Sequence, residues 1–360
     1  MATIYLRPLG VIAGPAANDA IAAGFALPLA GGPAAFTGCE VWRRGPEDTA
    51  RLVLPATDLA AWLERQPEPL RAEGAQFLDR LLAAPAWPDG LPRRRPLIMG
   101  VVNVTPDSFS DGGQFIAPEA AIAHGLRLRE EGADIVDVGG ESTRPGAAPV
   151  SAEEELERVI PVIEALVGHG VPVSIDTRKA AVMRAALAAG AGVINDVSAL
   201  RHDPEALPVA GTAGVPVVLM HSQGEPATMQ VQPTYDIAPL DVFDHLAARV
   251  EAWTEAGFER SRLLIDPGIG FGKTLAHNLE ILGRLGLYLG MGLPILLGVS
   301  RKSFIGRLAD GVPAPERMPG SLAAALAGVA AGIAALRVHD VAATQQALAV
   351  WQAIERQDIT

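Results

Sequence analysis

Beyond residue 96 the chain alternates between two hydrophobic rhythms. Short apolar, β-branched runs begin at Leu97 (LIMGVVN), Ala133 (ADIVDVG), Pro172 (PVSID), Gly192 (GVIND), Val215 (VPVVLMH), Arg262 (RLLID), Pro294 (PILLGVS) and Ile333 (IAALRVH). Runs this short and this continuously apolar predict strands buried on both faces. Between them lie segments of helical period. Ser151 to Val167 opens with a serine followed by acidic residues, and Asp340 to Glu355 closes the series. The eight starts recur about every 34 residues, the size of one strand–helix unit. Eight units over residues 97–356 predict an α/β chain folded as a (β/α)8 TIM barrel. A doubly wound open sheet is the alternative; the lack of a glycine-rich dinucleotide turn after the first strand favours the barrel.

Residues 1–84 lack this alternation and read as an extension of unknown role, with a small α/β appendage, an oligomerisation element and a partner-binding module as the open readings. It holds one clear helix near Leu70 to Ala84, with Phe77, Leu78, Leu81 and Leu82 on one side. The stretch between, residues 85–96 (PAWPDGLPRRRP), carries four prolines and three consecutive arginines and reads as a linker. Charge changes across it. Residues up to 96 carry ten basic and ten acidic side chains, so the whole net charge of −12 falls on residues 97–360. That balance disfavours general binding of nucleic acid or anionic membrane. The single cysteine, Cys39, excludes an intramolecular disulfide framework and any multi-cysteine zinc site, in keeping with a reducing compartment. The longest apolar run, Leu322 to Leu336, is too short to span a bilayer. A cytoplasmic protein is expected.

Where the polar residues fall matters more than their number. The apolar runs end in Asn103; Asp137; Asp176; Asn195 with Asp196; His221; Asp266; Ser300, Arg301 and Lys302; and Arg337 with His339. A lone Asp or Asn at a strand end is usually a loop cap. A set of eight such ends, which a barrel brings to one rim, predicts a site there. Asp176, Asn195 and Asp266 offer acceptors and an amide suited to a flat heterocycle with several N–H groups. Lys302, Arg337, His339 and Arg144 are read as cations for a phosphate or carboxylate. The chain has only three lysines, Lys179, Lys273 and Lys302, among 29 basic residues, so each is worth inspecting. No H-x-x-x-H or C-x-x-C spacing occurs, so any metal is expected to be a hard Mg²⁺ shared with a phosphate. The first two strand–helix connections (TPDSFSDGGQF and ESTRPGAAP) have the composition of mobile lids. GIGFGK (Gly268 to Lys273) is not spaced as a P-loop. Asp134 and Asp196 read as structural, the helix and loop histidines as surface or packing residues, and Lys179 as a helix start.

At these residues the chain closely resembles the dihydropteroate synthase family over about residues 96–354. The matching segments are MGVVNVTPDSFSDGG, DIVDVGGESTRPGA, SIDTRK, VINDVSAL, LMHSQG, LIDPGIGFGK, LLGVSRKSFIG and RVHDV, in that family's order. The resemblance implies a transferase joining a dihydropterin that carries a CH₂–diphosphate arm to 4-aminobenzoate, on a (β/α)8 barrel, with Mg²⁺ as cofactor and a homodimer as assembly. It implies Asn103 for Mg²⁺; Thr143 and Arg144 near the pterin arm and diphosphate; and Asp176, Asn195, Met220 and Asp266 for the pterin. Lys302 would lie between both substrates, and Arg337 and His339 would hold the diphosphate. Phe109, Pro145 and Phe271 would wall the aminobenzoate, with Ser303 at its carboxylate. Lys302, Arg144 and Asp111 would be the catalytic set, and Asp107 lies in the same first connection as Asp111. A methyl-folate-dependent corrinoid methyltransferase and a non-catalytic pterin-binding protein are the alternatives. The cations of SRKS and RVHD weigh against the first, and the intact motifs against the second.

Overall fold

The structure, a computed structural model, describes residues 2–92, 96–105, 118–142, 149–224 and 228–356. Residues 3–55 form an antiparallel sheet of β1 (Thr3–Ala13), β2 (Leu27–Leu29), β3 (Ala34–Arg44) and β4 (Thr49–Pro55), with β3 pairing all three others. Helix α1 (Pro15–Ala22) joins β1 to β2, and α2 (Leu59–Leu63) and α3 (Leu70–Leu82) follow β4.

All eight predicted strands are present in one parallel sheet. They are β5 (Leu97–Asn103), β6 (Ile135–Gly139), β7 (Val173–Asp176), β8 (Val193–Asp196), β9 (Val217–Met220), β10 (Leu263–Asp266), β11 (Leu296–Leu297) and β12 (Ala335–Val338). The order is β10-β9-β8-β7-β6-β5-β12-β11, and a parallel bridge between Ile265 and Ile295 closes β10 onto β11. This is a (β/α)8 barrel. Its helices are α4 (Pro118–Glu130), α5 (Ala152–Gly168), α6 (Ala180–Ala188), α7 (Ala206–Thr212), α8 (Ala238–Glu255), α9 (Leu275–Leu282), α10 (Ser303–Leu308), α11 (Met318–Ala330) and α12 (Val341–Arg356). Ser151 caps α5 as its position predicts, its Oγ accepting from Glu154 N at 3.1 Å.

Strand residues alternate between the barrel interior and the helices. The outward set, including Ile98, Val136, Val138, Ile175, Ile194, Leu219, Ile265 and Leu336, packs under the helices. The inward set comes in layers. Leu97, Met99, Ile135, Val193, Val218, Leu264, Leu296 and Ala335 form a separate apolar cluster, and Leu91 with Trp87 packs on it. The segment expected as a linker therefore packs, through Trp87 and Leu91, against the apolar end of the barrel interior. One inward step further along these strands, two residues on, stand Asp137, Asn195, Met220, Asp266, Gly298 and Arg337. The interior changes from apolar to polar in one layer, toward the strands' C-terminal ends.

The N-terminal sheet docks on the barrel's outside. Tyr5 and Phe77 meet Phe243 of α8 at ring-centroid distances of 5.5 and 5.4 Å. Phe77 fits only because Gly290 has no side chain: a Cβ there would lie 1.7 Å from the Phe77 ring. Among the described residues no helix is long and apolar enough to cross a membrane.

Candidate functional site

Asp137 is the hub of the polar layer. Its carboxylate is fully buried on β6, and Oδ2 accepts from Arg337 Nε at 2.6 Å and from Asn195 Nδ2 at 3.1 Å. Arg337 Nη2 donates to Asp176 Oδ2 at 2.7 Å. These four residues come from β6, β7, β8 and β12, so the network spans the mouth. Because Asn195 spends its NH₂ on a carboxylate, its carbonyl oxygen is left to accept from a ligand. Burial, with Asp137 close by, pushes the Asp176 carboxyl up to about 7 against the pull of Arg337. The two carboxylates hold Arg337 more firmly protonated than an ordinary arginine.

Asp266 ends β10, and its Oδ1 accepts from Gly268 N at 2.7 Å. Burial raises its pKa. Gly298 faces it across a gap: a Cβ built there would lie 3.9 Å from both Asp266 Oδ2 and the Arg337 Cβ. Acceptor and cation therefore flank one space. Lys302 reaches the same rim from the turn before α10, its Nζ 4.0 Å from the centroid of the Phe271 ring. Burial lowers the Lys302 pKa to about 8, with Asp266 opposing.

Phe271 is carried by the loop Gly268–Lys273, in which Gly268, Gly270 and Gly272 all have positive φ. A side chain at Gly268 would put a Cβ 1.9 Å from the His221 carbonyl oxygen. Lys273 is buried and ties the loop to itself, donating to Gly268 O at 2.8 Å and Phe271 O at 3.0 Å, with His221 Nδ1 at 2.8 Å. GIGFGK is thus a shelf for Phe271, with its lysine turned inward.

His339 follows β12. Its backbone N–H donates to Ser300 Oγ at 3.1 Å, and its Nδ1 lies 3.1 Å from the same oxygen. Burial, with Arg337 and Arg301 nearby, lowers the His339 pKa to about 3, which favours a neutral ring where no anion is bound. A neutral ring with its proton on Nε2 would accept from the Ser300 hydroxyl at Nδ1 and leave Nε2–H as a donor. Arg301, one of the strand-end residues, pairs with Asp340.

The structure gathers Asp176, Asn195, Met220, Asp266, Phe271, Lys302, Arg337 and His339 at one end of the barrel. Asn103 ends β5, and Ser303 begins α10 at the exposed rim. Asp107, Phe109, Asp111, Thr143, Arg144 and Pro145 lie outside the described residues. Sequence reasoning placed Asp137 among the strand ends and gave it no site role. Its signal was present: it stands two residues after inward Ile135, as Asn195 does after Val193. Asp134 and Asp196 are structural as read, accepting from Ile98 N and from the backbone of Ser198 and Leu200. Lys179 precedes α6 and pairs with Glu141 and Glu155.

Comparison with known proteins agrees with this geometry. The profile of a family described as "Pterin binding enzyme" matches residues 99–339. The chain is 49% identical over 265 residues to the dihydropteroate synthase of Neisseria meningitidis serogroup B, covering 72% of this chain and 93% of that protein. It is 48% identical over 259 residues to that of Escherichia coli K12, covering 72% and 91%. Among solved structures, Xanthomonas albilineans dihydropteroate synthase with 4-aminobenzoic acid is similar at 54% identity and a TM-score of 0.69, covering 74% of this chain and 94% of that one. The Xanthomonas albilineans enzyme in complex with 7,8-dihydropteroate is similar at 51% identity and a TM-score of 0.67, covering 75% and 97%.

Proposed function

Since this chain belongs to the pterin-binding enzyme family, we propose that it is a dihydropteroate synthase. It is a transferase of folate biosynthesis that condenses (7,8-dihydropterin-6-yl)methyl diphosphate with 4-aminobenzoate, giving 7,8-dihydropteroate and diphosphate. The observation that carries this reading is the sharing of one mouth by acceptors and cations, with Asp266 Oδ2 and Arg337 on either side of Gly298.

The free oxygens of Asp266, Asp176 and Asn195 accept from the N–H groups along the pterin edge. Met220, in the same inward layer, lies under the ring. Lys302 donates to pterin acceptors while its stem stays over Phe271. As the C–O bond to diphosphate breaks, positive charge spreads from the CH₂ group into the ring. The buried carboxylates favour that charge, since charges interact more strongly away from water. Arg337 through Nη1, and His339 through Nε2–H, hold the departing diphosphate. The arylamine is neutral at pH 7 and attacks the carbon, then loses its proton to solvent or to the leaving group. Phe271 forms one wall of the aminobenzoate site, with Phe109 and Pro145 assigned to the others and Ser303 to its carboxylate. Thr143, Arg144 and Asp111 complete the site from the two long connections.

We assign Mg²⁺ to Asn103. The donor chemistry fits: Asn103 ends β5 at the rim and offers a neutral amide oxygen. One amide oxygen at the rim suits a hard cation that takes its remaining ligands from phosphate and water. Bound there, Mg²⁺ would neutralise charge on the leaving group. A cytoplasmic homodimer is the assembly expected of this family.

The test is turnover of the full-length protein with the dihydropterin diphosphate, 4-aminobenzoate and Mg²⁺, following dihydropteroate formation. Diphosphate release without dihydropteroate, or no release, would overturn the assignment.

A further inference from the structure

The N-terminal sheet lies outside the barrel, yet its hydrogen bonds lead toward the Phe271 loop. Arg44, the last residue of β3, places Nη1 2.6 Å from Asp241 Oδ1 and 3.3 Å from Asp244 Oδ2, and Nη2 2.9 Å from Asp236 Oδ2. Tyr5 of β1 donates to Asp244 Oδ1 at 2.7 Å. The other oxygen of Asp241 accepts from the backbone N–H of Asp236 and Ile237, at 2.7 and 3.2 Å, and so fixes the turn entering α8. Tyr235 stands one residue before that turn. Its hydroxyl donates to the carbonyl oxygen of Gly272 at 2.7 Å, next to Phe271. Gln230, in the same segment, donates to Gly270 O at 2.6 Å.

Behind this segment is a cavity of about 360 Å³, bordered by Arg201, His221, Gln223, Tyr235, Asp241 and His245. The segment packs through Met229, Ile237 and the Tyr235 ring, which meets His277 at 4.8 Å, but the open space on its other side leaves room for it to shift when one of these hydrogen bonds is lost. We propose that Arg44 is a positioning residue for the Gly268–Lys273 loop, acting through Asp241, Asp236 and Tyr235 to hold Phe271 under Lys302. This gives the N-terminal sheet a role in the reaction: it buttresses the aminobenzoate side of the site. The pterin-reading Asp176, Asn195 and Asp266 sit on barrel strands and are outside the relay, which touches the pterin side only through Lys302 over Phe271. The kinetic part of the proposal rests on the dihydropteroate synthase reading.

The experiment uses full-length protein and two readouts. The first is hydrogen–deuterium exchange of the 268–273 backbone without ligand, which needs no activity. The second is steady-state kinetics with each substrate varied. Arg44→Met and Tyr235→Phe should each speed exchange in this loop and raise the KM for 4-aminobenzoate on the order of tenfold, leaving pterin affinity near that of the unaltered protein. Arg44→Lys, which keeps the charge but loses the fork, should recover part of the effect. The double variant should be little worse than the worse single one, because both cut one relay. Arg51→Met, on the same sheet but paired with Glu40, should change neither readout. Should Arg44→Met fail to fold, Tyr235→Phe decides alone, since it removes one hydroxyl. Unchanged exchange and KM, or losses that multiply in the double variant, would overturn the relay. Absence of turnover in the unaltered protein would instead overturn the functional reading, and exchange would still decide the relay.

Discussion

Arg337 Nη2 lies 2.7 Å from Asp176 Oδ2, although the two residues come from β12 and β7, which do not pair. The contact crosses the mouth, and the same guanidinium neutralises buried Asp137. Arg337→Met should therefore destabilise the fold as well as the reaction. Leaving two carboxylates without their cation should cost about 3 kcal/mol at pH 8, read by urea unfolding. Removing the cation raises the Asp176 pKa further above about 7, so the deficit should shrink as pH falls toward 5, where that carboxyl is protonated with or without Arg337. In binding, affinity for the diphosphate substrate should fall much more than affinity for a pterin without the tail. Equal losses would remove Arg337 from the diphosphate site.

Asp266 divides its oxygens between two tasks. Oδ1 fixes the start of the glycine loop through Gly268 N, and Oδ2 faces the mouth. Asp266→Asn can keep the first bond but presents an NH₂ where the ligand needs an acceptor. Pterin affinity should fall by about 2–3 kcal/mol, on the order of 100-fold, measured by calorimetry. Unchanged affinity would reject Asp266 as a pterin reader.

Lys302 should set an alkaline limit. Burial lowers its pKa to about 8, so the ammonium is lost as pH rises through 8, well before an ordinary lysine would titrate. At pH 9 about a tenth remains protonated, and pterin affinity should be roughly tenfold below its value at pH 7. Lys302→Arg should bind and turn over poorly because a larger planar guanidinium cannot place a single compact donor where the Lys302 ammonium sits. It should also lack the alkaline fall, since guanidinium does not titrate there. Near-normal turnover in Lys302→Arg would remove the lysine-specific role.

The eight barrel strands were legible because each is a short apolar run buried on both faces, bounded by helical segments. The rim acids were legible because a polar residue buried at the end of such a run needs a partner, from the protein or from a ligand. Asp137 was harder. Its partners Arg337 and Asn195 are remote in sequence, and only closure of the barrel brings them together. The surroundings of His339 were not legible, because residue type carries no information about burial or about Arg337 beside it. The part played by Lys273 was not legible, and only the fold of the glycine loop shows its Nζ turned onto Gly268 O and Phe271 O. The N-terminal sheet was the least readable part. Its strands contain Pro8 and Gly10, which punctuate β1 like a turn, and its docking surface on α8 is a tertiary fact.

Two glycines of the barrel should separate folding from binding. Gly298 faces the interior. A Cβ there would meet the Arg337 Cβ and Asp266 Oδ2 at 3.9 Å, ordinary contact distances, and its φ is not positive. Gly298→Ala should therefore fold and melt like the unaltered protein. Its methyl group would occupy the space between the acceptor and the cation, which the bound pterin needs. Overpacking of that kind costs about 1–3 kcal/mol, so pterin affinity should drop on the order of tenfold to 100-fold. Gly100 faces the other way. A Cβ there would crowd Leu128 at 3.1 Å, Val341 at 3.2 Å and Ala133 at 3.3 Å, all under the helices. Gly100→Ala should lower the melting temperature and leave pterin affinity per folded molecule unchanged. Thermal melts and pterin titrations on both variants check the pair. A Gly298→Ala protein that binds pterin normally would place the ring elsewhere than between Asp266 and Arg337.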